Sequence, residues 1–379
     1  EGHGIASAAE EYQRAVEVLF STPGRPGSTV RDVMVGICVV AVLSFGAVVP
    51  GRDALLTAAE LAAAFGIDMA NPAHAAVVTQ GQYTRLHPDG VLGLVRDAGD
   101  AAVARLLRIG GDQFPVVFLL PDQVALLLRI LFAPTHGVLP VVSGVVASGS
   151  RAAQSKTGNG SGNGNNNAST SMDVVAKQAA QIGSTILLAL AKLFQDAATN
   201  ASGGAARQLS LRGIPPSVSL LLPFYYLALS MNPNASMFNN LGILLSSLPV
   251  ATTTVGLSGE RVQLTGQLLA VRYYAQGLQL DPTHSHLFTN LGSLFKDMGR
   301  LAEAIKMYEK AVEFNPSFDV ALANLGNAIK DQGRTQDSIT YYRRAVEANP
   351  HFPEALCGLV NALLAVCDWG DVYRDTPSP

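Results

Sequence analysis

"NLGSLFKDMGRLAEAIKMYEKAVEFNP" occupies residues 290–316, and "NLGNAIKDQGRTQDSITYYRRAVEANP" occupies residues 324–350. One pattern therefore occurs twice, 34 residues apart. Within each copy the apolar residues fall at helical spacing in two runs divided by a glycine. Phe288, Leu291, Gly292 and Phe295 line one face of a first helix, and Gly299 marks the turn that ends it. Ala304, Tyr308 and Ala311 line a second helix, and Pro316 stops it. Leu322, Leu325, Gly326, Ile329, Gly333, Ser338, Tyr342, Ala345 and Pro350 repeat the scheme. Small residues alternate with large ones, so two antiparallel helices can approach closely and the next unit can fill the gap. A unit of this kind cannot bury its apolar face alone; stacking on its neighbours stabilises it.

The pattern extends in both directions. Pro282, Pro316 and Pro350 are spaced 34 and 34, whereas Pro233 to Pro282 is 49, one unit plus an insertion at residues 246–266. A further unit opens at "ALCGLVNALLAVCDW", residues 355–369. Upstream, "SVSLLLPFYYLALSMNP" (217–233) reads as a second helix whose partner is residues 173–197. "YQRAVEVLF" (12–20) parallels "YEKAVEFNP" (308–316), which suggests the tail of a repeat at the start of the chain.

These residues resemble tetratricopeptide repeats, with Leu-Gly in the first helix, Ala and an aromatic in the second, and Pro at the close. The expected fold is all-α, a tetratricopeptide-repeat helical solenoid with long inter-helix insertions. Residues 1–147 are expected to form an atypical helical region, with "ALLTAAELAAAFGI" (54–67) and "DQVALLLRILF" (122–132) its clearest helices. Residues 148–172, rich in Gly, Asn and Ser, are expected to be a disordered loop, because they offer too little apolar surface to offset ordering. The solenoid proper is expected over 173–368, with insertions at 198–216 and 246–266, and 369–379 as a tail.

Lys plus Arg number 26 against 29 Asp plus Glu, a net charge of -3. That balance gives no basic footprint for nucleic acid, and none is expected as a partner. Three cysteines without a C-x-x-C form neither a disulfide framework nor a zinc site, and suit a reducing cytoplasmic or nuclear setting. Residues 33–49, "VMVGICVVAVLSFGAVV", are at the lower edge of a membrane span. Gly36 and Gly46 lie inside, Pro50 closes the run, and Arg31 and Arg52 flank both ends without a positive-inside bias. A buried solenoid helix is the favoured reading, and a membrane-anchored repeat protein the weaker one.

Chemistry-bearing motifs are scarce. The glycine run 158–164 lacks G-x-G-x-x-G spacing and a Lys-Ser/Thr pair. His284 and His286 are close together but lack a third ligand at metal spacing. No catalytic site, metal site or cofactor site is expected in these residues. What remains is the inner surface of the solenoid. Asn240, Asn290 and Asn324 each precede the first-helix glycine by two, and would form an amide ladder along the groove. An asparagine amide supplies an acceptor and two donors, so it can hold an extended polypeptide without reading its side chains. For a generic repeat the plainer account is that such an asparagine bonds within its own unit or faces water. Gly358 interrupts the ladder. A carboxylate clamp is disfavoured, since His286, Thr289, Ser293, Val320, Ala323 and Asn327 include no Lys or Arg.

"ANLGNAIKDQGRTQDSITYYRRAVEANPHFPEALCGLVNALLAVCDW" resembles the final repeats of protein O-GlcNAc transferases, fungal forms especially. There the repeats run into a Cys-Asp-Trp segment at the border of the catalytic lobes, here Cys367-Asp368-Trp369. "NNLGILLSSLP", "LLLPFYYLALSMNP" and "LLPDQVALLLRILF" share the likeness. The resemblance implies that Asn240, Asn290 and Asn324 grip extended polypeptide clients, reversing the plainer account. It also implies that UDP-GlcNAc, the donor for transfer to Ser or Thr, would bind only in lobes beyond these residues. The chain is then expected to be the client-recruiting part of a transferase, cut short before its lobes. A related family with similar repeats transfers fucose, so the sugar stays open. An oligomer is compatible with the sequence. The alternative is a stand-alone repeat scaffold for protein interactions.

Overall fold

The computed structural model describes residues 2–21, 27–47, 49–50, 55–143, 165–199, 210–255, 259 and 261–367. In chain order the elements are α1 (Gly2–Leu19), α2 (Val30–Leu43), β1 (Val49–Pro50), β2 (Leu55–Leu56), α3 (Ala58–Ala64), α4 (Pro72–Thr79), α5 (Gly90–Ile109) and α6 (Pro121–Leu131). There follow α7 (Asn165–Thr199), α8 (Val218–Met231), α9 (Ala235–Ser246), β3 (Ala251–Val255), β4 (Arg261–Thr265) and α10 (Gly266–Leu280). The last five are α11 (Ser285–Asp297), α12 (Leu301–Phe314), α13 (Asp319–Asp331), α14 (Thr335–Ala348) and α15 (Pro353–Ala365). The fold class is an all-α helical repeat, as the periodicity implied. Its contacts divide the chain into two compact units, 1–233 with 249–266, and 234–248 with 267–379. The division falls after Pro233, so that α7 and α8 group with the N-terminal residues.

The N-terminal unit is organised around α2. Thr29 starts it through a reciprocal cap: the Asp32 N–H donates to Thr29 Oγ1 (3.1 Å) and the Thr29 N–H to Asp32 Oδ2 (2.9 Å). Every residue of this helix except Arg31 is buried, with α3, α5, α6 and α8 packed around it. The described apolar run 33–45 is thus a core segment, whose helix ends at Leu43 after 14 residues. Burial pushes the Cys38 thiol up to about 12, so it stays protonated and unreactive. Among the described residues, one helical segment, Asp173–Thr199, is long and apolar enough to cross a membrane. Here it belongs to α7 and packs on α1 and α8.

Residues 114–120 run extended and mostly buried beside α8. Their backbone polar groups need partners there, and α8 supplies them. The Tyr226 hydroxyl donates to the Val117 carbonyl (3.1 Å) and accepts from the Leu119 N–H (3.3 Å), and Ser219 donates to the Phe114 carbonyl.

Three expectations shift. The helix expected over 54–67 begins at Ala58, because Thr57 caps it by accepting from the Glu60 N–H (3.2 Å) while Glu60 Oε2 accepts from Thr57 N–H (3.1 Å). Helix α7 begins at Asn165, inside the stretch 148–172 expected to be disordered, since extending a formed helix adds one bond per residue fixed. The rest of that stretch, 148–164, lies outside the described residues, as does the tail 369–379. Finally, α1 does not pack as the parallel with 308–316 implied: Tyr12 and Ala15 are exposed, whereas Tyr308 and Ala311 are buried. Helix α1 buries Ala9, Gln13 and Val16 instead, and Phe20 just after it is buried as well.

Of the insertions, 246–266 folds as the antiparallel hairpin β3–β4, with Ala251 opposite Thr265 and Val255 opposite Arg261. In 198–216, Leu211 and Ile214 exchange backbone hydrogen bonds of 2.9 and 3.1 Å across a tight turn. Residues 200–209 lie outside the description.

Candidate peptide-binding groove

The C-terminal unit consists of helix pairs: α9 with α10, α11 with α12, α13 with α14, then α15. Most of the residues that carried the periodic pattern are inside; Phe288 is only half-buried, and its neighbour Leu287 is buried instead. Leu291, Gly292, Phe295, Ala304, Tyr308 and Ala311 are buried, and so are Leu322, Leu325, Gly326, Ile329, Ser338, Tyr342 and Ala345. Gly299 (φ +75°) and Gly333 (φ +88°) make the left-handed turns between paired helices, a conformation that costs glycine little. Successive first helices touch, α9 on α11, α11 on α13 and α13 on α15, whereas α12 and α14 make no comparable contact. The first helices therefore form a continuous touching row along the stack.

Each buried tyrosine of a second helix seats its ring on the glycine of the paired first helix. A β-carbon at Gly292 would lie 2.8 Å from Cε1 of Tyr308, and one at Gly326 would lie 3.0 Å from Cε1 of Tyr342. The Tyr342 ring also reaches forward to α15, where a β-carbon at Gly358 would be 2.4 Å away. That contact explains the interruption at Gly358: asparagine cannot occupy the place without displacing the ring.

The three predicted asparagines lie on α9, α11 and α13. Asn240 is exposed, and Asn290 and Asn324 are half-buried. Among the described residues, Asn240 and Asn324 make no side-chain hydrogen bond. Asn290 does, donating from Nδ2 to Oδ1 of Asn239 (2.7 Å). The structure thus pairs Asn290 with Asn239, not with Asn240. The adjacent Asn239-Asn240 doublet of α9, which α11 and α13 lack, is the sequence signal for that pairing.

The other inner positions are mostly satisfied internally. Thr289 is buried and donates back to the Ser285 carbonyl (2.9 Å), and Ala323 is buried. Ser293 accepts from the Tyr308 hydroxyl (3.0 Å) and Asn327 Oδ1 accepts from the Tyr342 hydroxyl (2.6 Å). Burial raises both phenols, Tyr342 to about 12 with the Asp331 carboxylate adding to the effect, so both remain donors near neutrality. Burial likewise holds Tyr274 well above the ordinary phenol value, with a hydrogen bond to Ser246 acting the other way. The exposed His286 packs on Phe318, ring centroids 4.5 Å apart, and Val320 is exposed. Lys296 pairs with Asp331 across α11 and α13 (2.8 Å), while Lys330, at the same repeat place, makes no ion pair among the described residues. No group of three or more His, Cys, Asp or Glu among the described residues is placed to hold a metal. The N-terminal unit has a surface cleft of about 390 Å³ lined by Glu10, Gln13, Arg14, Glu17, Ser210 and Arg212. Its charges are paired, Arg212 with Glu17 (3.1 Å) and Arg14 with Glu10 (3.6 Å).

A family model described as TPR repeat matches residues 292–333, and one described as Tetratricopeptide repeat matches 323–365. A search of curated proteins returned no match. Among solved structures, the first TPR of Spaghetti (RPAP3) bound to HSP90 peptide SRMEEVD is 25% identical, over 27% of this chain and 81% of that one, at a TM-score of 0.26. A Thermobaculum terrenum O-GlcNAc transferase mutant is 23% identical over 34% of this chain, at a TM-score of 0.28. The matched part spans only 22% of that transferase. Pseudomonas aeruginosa pilF is 13% identical over 52% of this chain and 74% of its own, with a TM-score of 0.38. The C-terminal region of this chain, residues 292–365, is therefore tetratricopeptide-repeat sequence within an all-α helical repeat.

Proposed function

We propose that the C-terminal repeats are a polypeptide-binding module, and that the module recruits protein clients for a protein O-GlcNAc transferase. The observation that carries the binding reading is the row of amides on the touching first helices. Asn240 and Asn324 keep their full hydrogen-bonding capacity, and Asn290 keeps an acceptor and a donor after serving Asn239. An extended chain laid along this row exchanges main-chain hydrogen bonds with it, which gives grip with little dependence on client sequence. The transferase assignment rests on the likeness of 324–369 to the last repeats of that family. Any donor sugar nucleotide would bind in lobes outside these residues.

The binding reading is tested with Asn290→Ala combined with Asn324→Ala in the full chain. Anisotropy of a fluorescein-labelled Ser/Thr/Ala peptide should show binding lost, with little change in melting temperature; unchanged binding overturns the reading. The recruiting role is tested by adding excess chain to a complete protein O-GlcNAc transferase acting on a protein client. Competition for the client should slow transfer, and an unaffected rate would rule the role out.

A further inference from the structure

Three residues past Asn240, Asn290, Asn324 and the equivalent Gly358, each first helix carries a second position: Ile243 on α9, Ser293 on α11, Asn327 on α13 and Asn361 on α15. Two of these are held by the buried tyrosine of their own repeat, and the two bonds leave opposite chemistry behind. Ser293 donates its only proton to the Thr289 carbonyl (3.1 Å) and accepts from Tyr308 (3.0 Å). A hydroxyl has one proton and two lone pairs, so what remains is one acceptor. Asn327 gives its carbonyl oxygen to the Tyr342 hydroxyl (2.6 Å), and its Nδ2 has no partner among the described residues. What it presents most freely is therefore its pair of N–H donors. Both residues are half-buried on touching helices.

We propose that Tyr308 and Tyr342 are positioning residues that give two neighbouring subsites fixed and opposite polarity. Ser293 accepts an N–H from the client backbone, and Asn327 donates to a client carbonyl. The proposal rests on the reading of the groove as a polypeptide site, and it names what that site recognises: the alternating N–H and C=O edge of an extended chain. Among the described residues, a tyrosine fixes this polarity in these two repeats. Ile243 has no polar group, and the Tyr274 hydroxyl of its repeat is directed to Ser246 instead.

The test uses the full chain and two fluorescein-labelled Ser/Thr/Ala peptides, one ordinary and one with backbone N–H groups replaced by ester oxygens. Asn327→Asp keeps the acceptor for Tyr342 but turns the outward donors into a carboxylate oxygen, and should weaken both peptides by about tenfold or more. Ser293→Ala should reduce the preference for the amide peptide over the ester, a readout that mere loss of packing does not move. Tyr342→Phe keeps the ring on Gly326 and Gly358 but frees the Asn327 amide to turn, and should weaken binding by about threefold to tenfold. An Asn327→Asp chain that binds like the wild type, or an unchanged amide-to-ester ratio in Ser293→Ala, overturns the polarity. If those variants bind normally while Asn290→Ala with Asn324→Ala does not, only this proposal fails. No binding by the wild type would overturn the groove reading as well.

Discussion

The two units bury their apolar residues by different rules. In the N-terminal unit one helix, α2, is surrounded, and almost all its residues are inside regardless of position. In the C-terminal unit each helix has one buried face, and a tyrosine-on-glycine contact recurs at Gly292 and Gly326 with the same geometry. Surrounding a helix makes a single core in which every member supports the others. Stacking one-faced helices makes a series of similar interfaces, each stabilised by its neighbours. The contrast implies cooperative loss in the first unit and stepwise loss in the second.

The sharpest way to break this contrast is Ile37→Ala. Ile37 is fully buried in α2, and its truncation should cost about 2–5 kcal/mol. Hydrogen exchange should then show protection lost throughout the N-terminal unit and kept in α11–α14; loss in both together would abolish the distinction. Gly358→Ala should cost about 1–3 kcal/mol, because the new methyl meets the Tyr342 ring. Its effect should be read as early fraying of α15 and α14 in a thermal melt followed by exchange.

Alkali sharpens the comparison further. Tyr342 is raised from 10.0 to about 12 in the folded chain. Above the ordinary phenol value the unfolded chain therefore holds fewer protons, and stability falls as pH rises from about 10 to about 12. The stabilisation is complete below that window, and Tyr342→Phe should flatten the fall in a pH series of denaturant melts. The smallest change expected is Lys296→Ala. Its half-exposed pair with Asp331 contributes about 0–1 kcal/mol, and the difference should shrink as salt is added.

The repeat half was legible because its packing is periodic. A 34-residue offset placed Leu291 with Leu325 and Tyr308 with Tyr342, and the fold used them alike. The N-terminal half was not, because a segment buried on all sides carries no period from which its neighbours could be read. Similarity of letters also failed to fix the buried face at Tyr12, which sits in step with Tyr308 yet faces solvent. On the first helices the sequence pattern aligned Asn240, Asn290 and Asn324 but did not reveal the partner Asn239, since a doublet does not say which amide turns toward the next helix. The Tyr308–Ser293 and Tyr342–Asn327 bonds join residues 15 apart. Such pairs become visible only once two helices have folded back on each other.

The hairpin β3–β4 interrupts a helix pair: α9 precedes it, α10 follows it, and 249–266 belongs to the N-terminal unit. During synthesis that unit cannot be completed until Gly266 has left the ribosome, by which time α9 is already made. Helix α9 must therefore wait with its apolar face unpaired until the following helix emerges. The order of emergence therefore leaves α9, carrying both Asn239 and Asn240, waiting for α10 in the nascent chain.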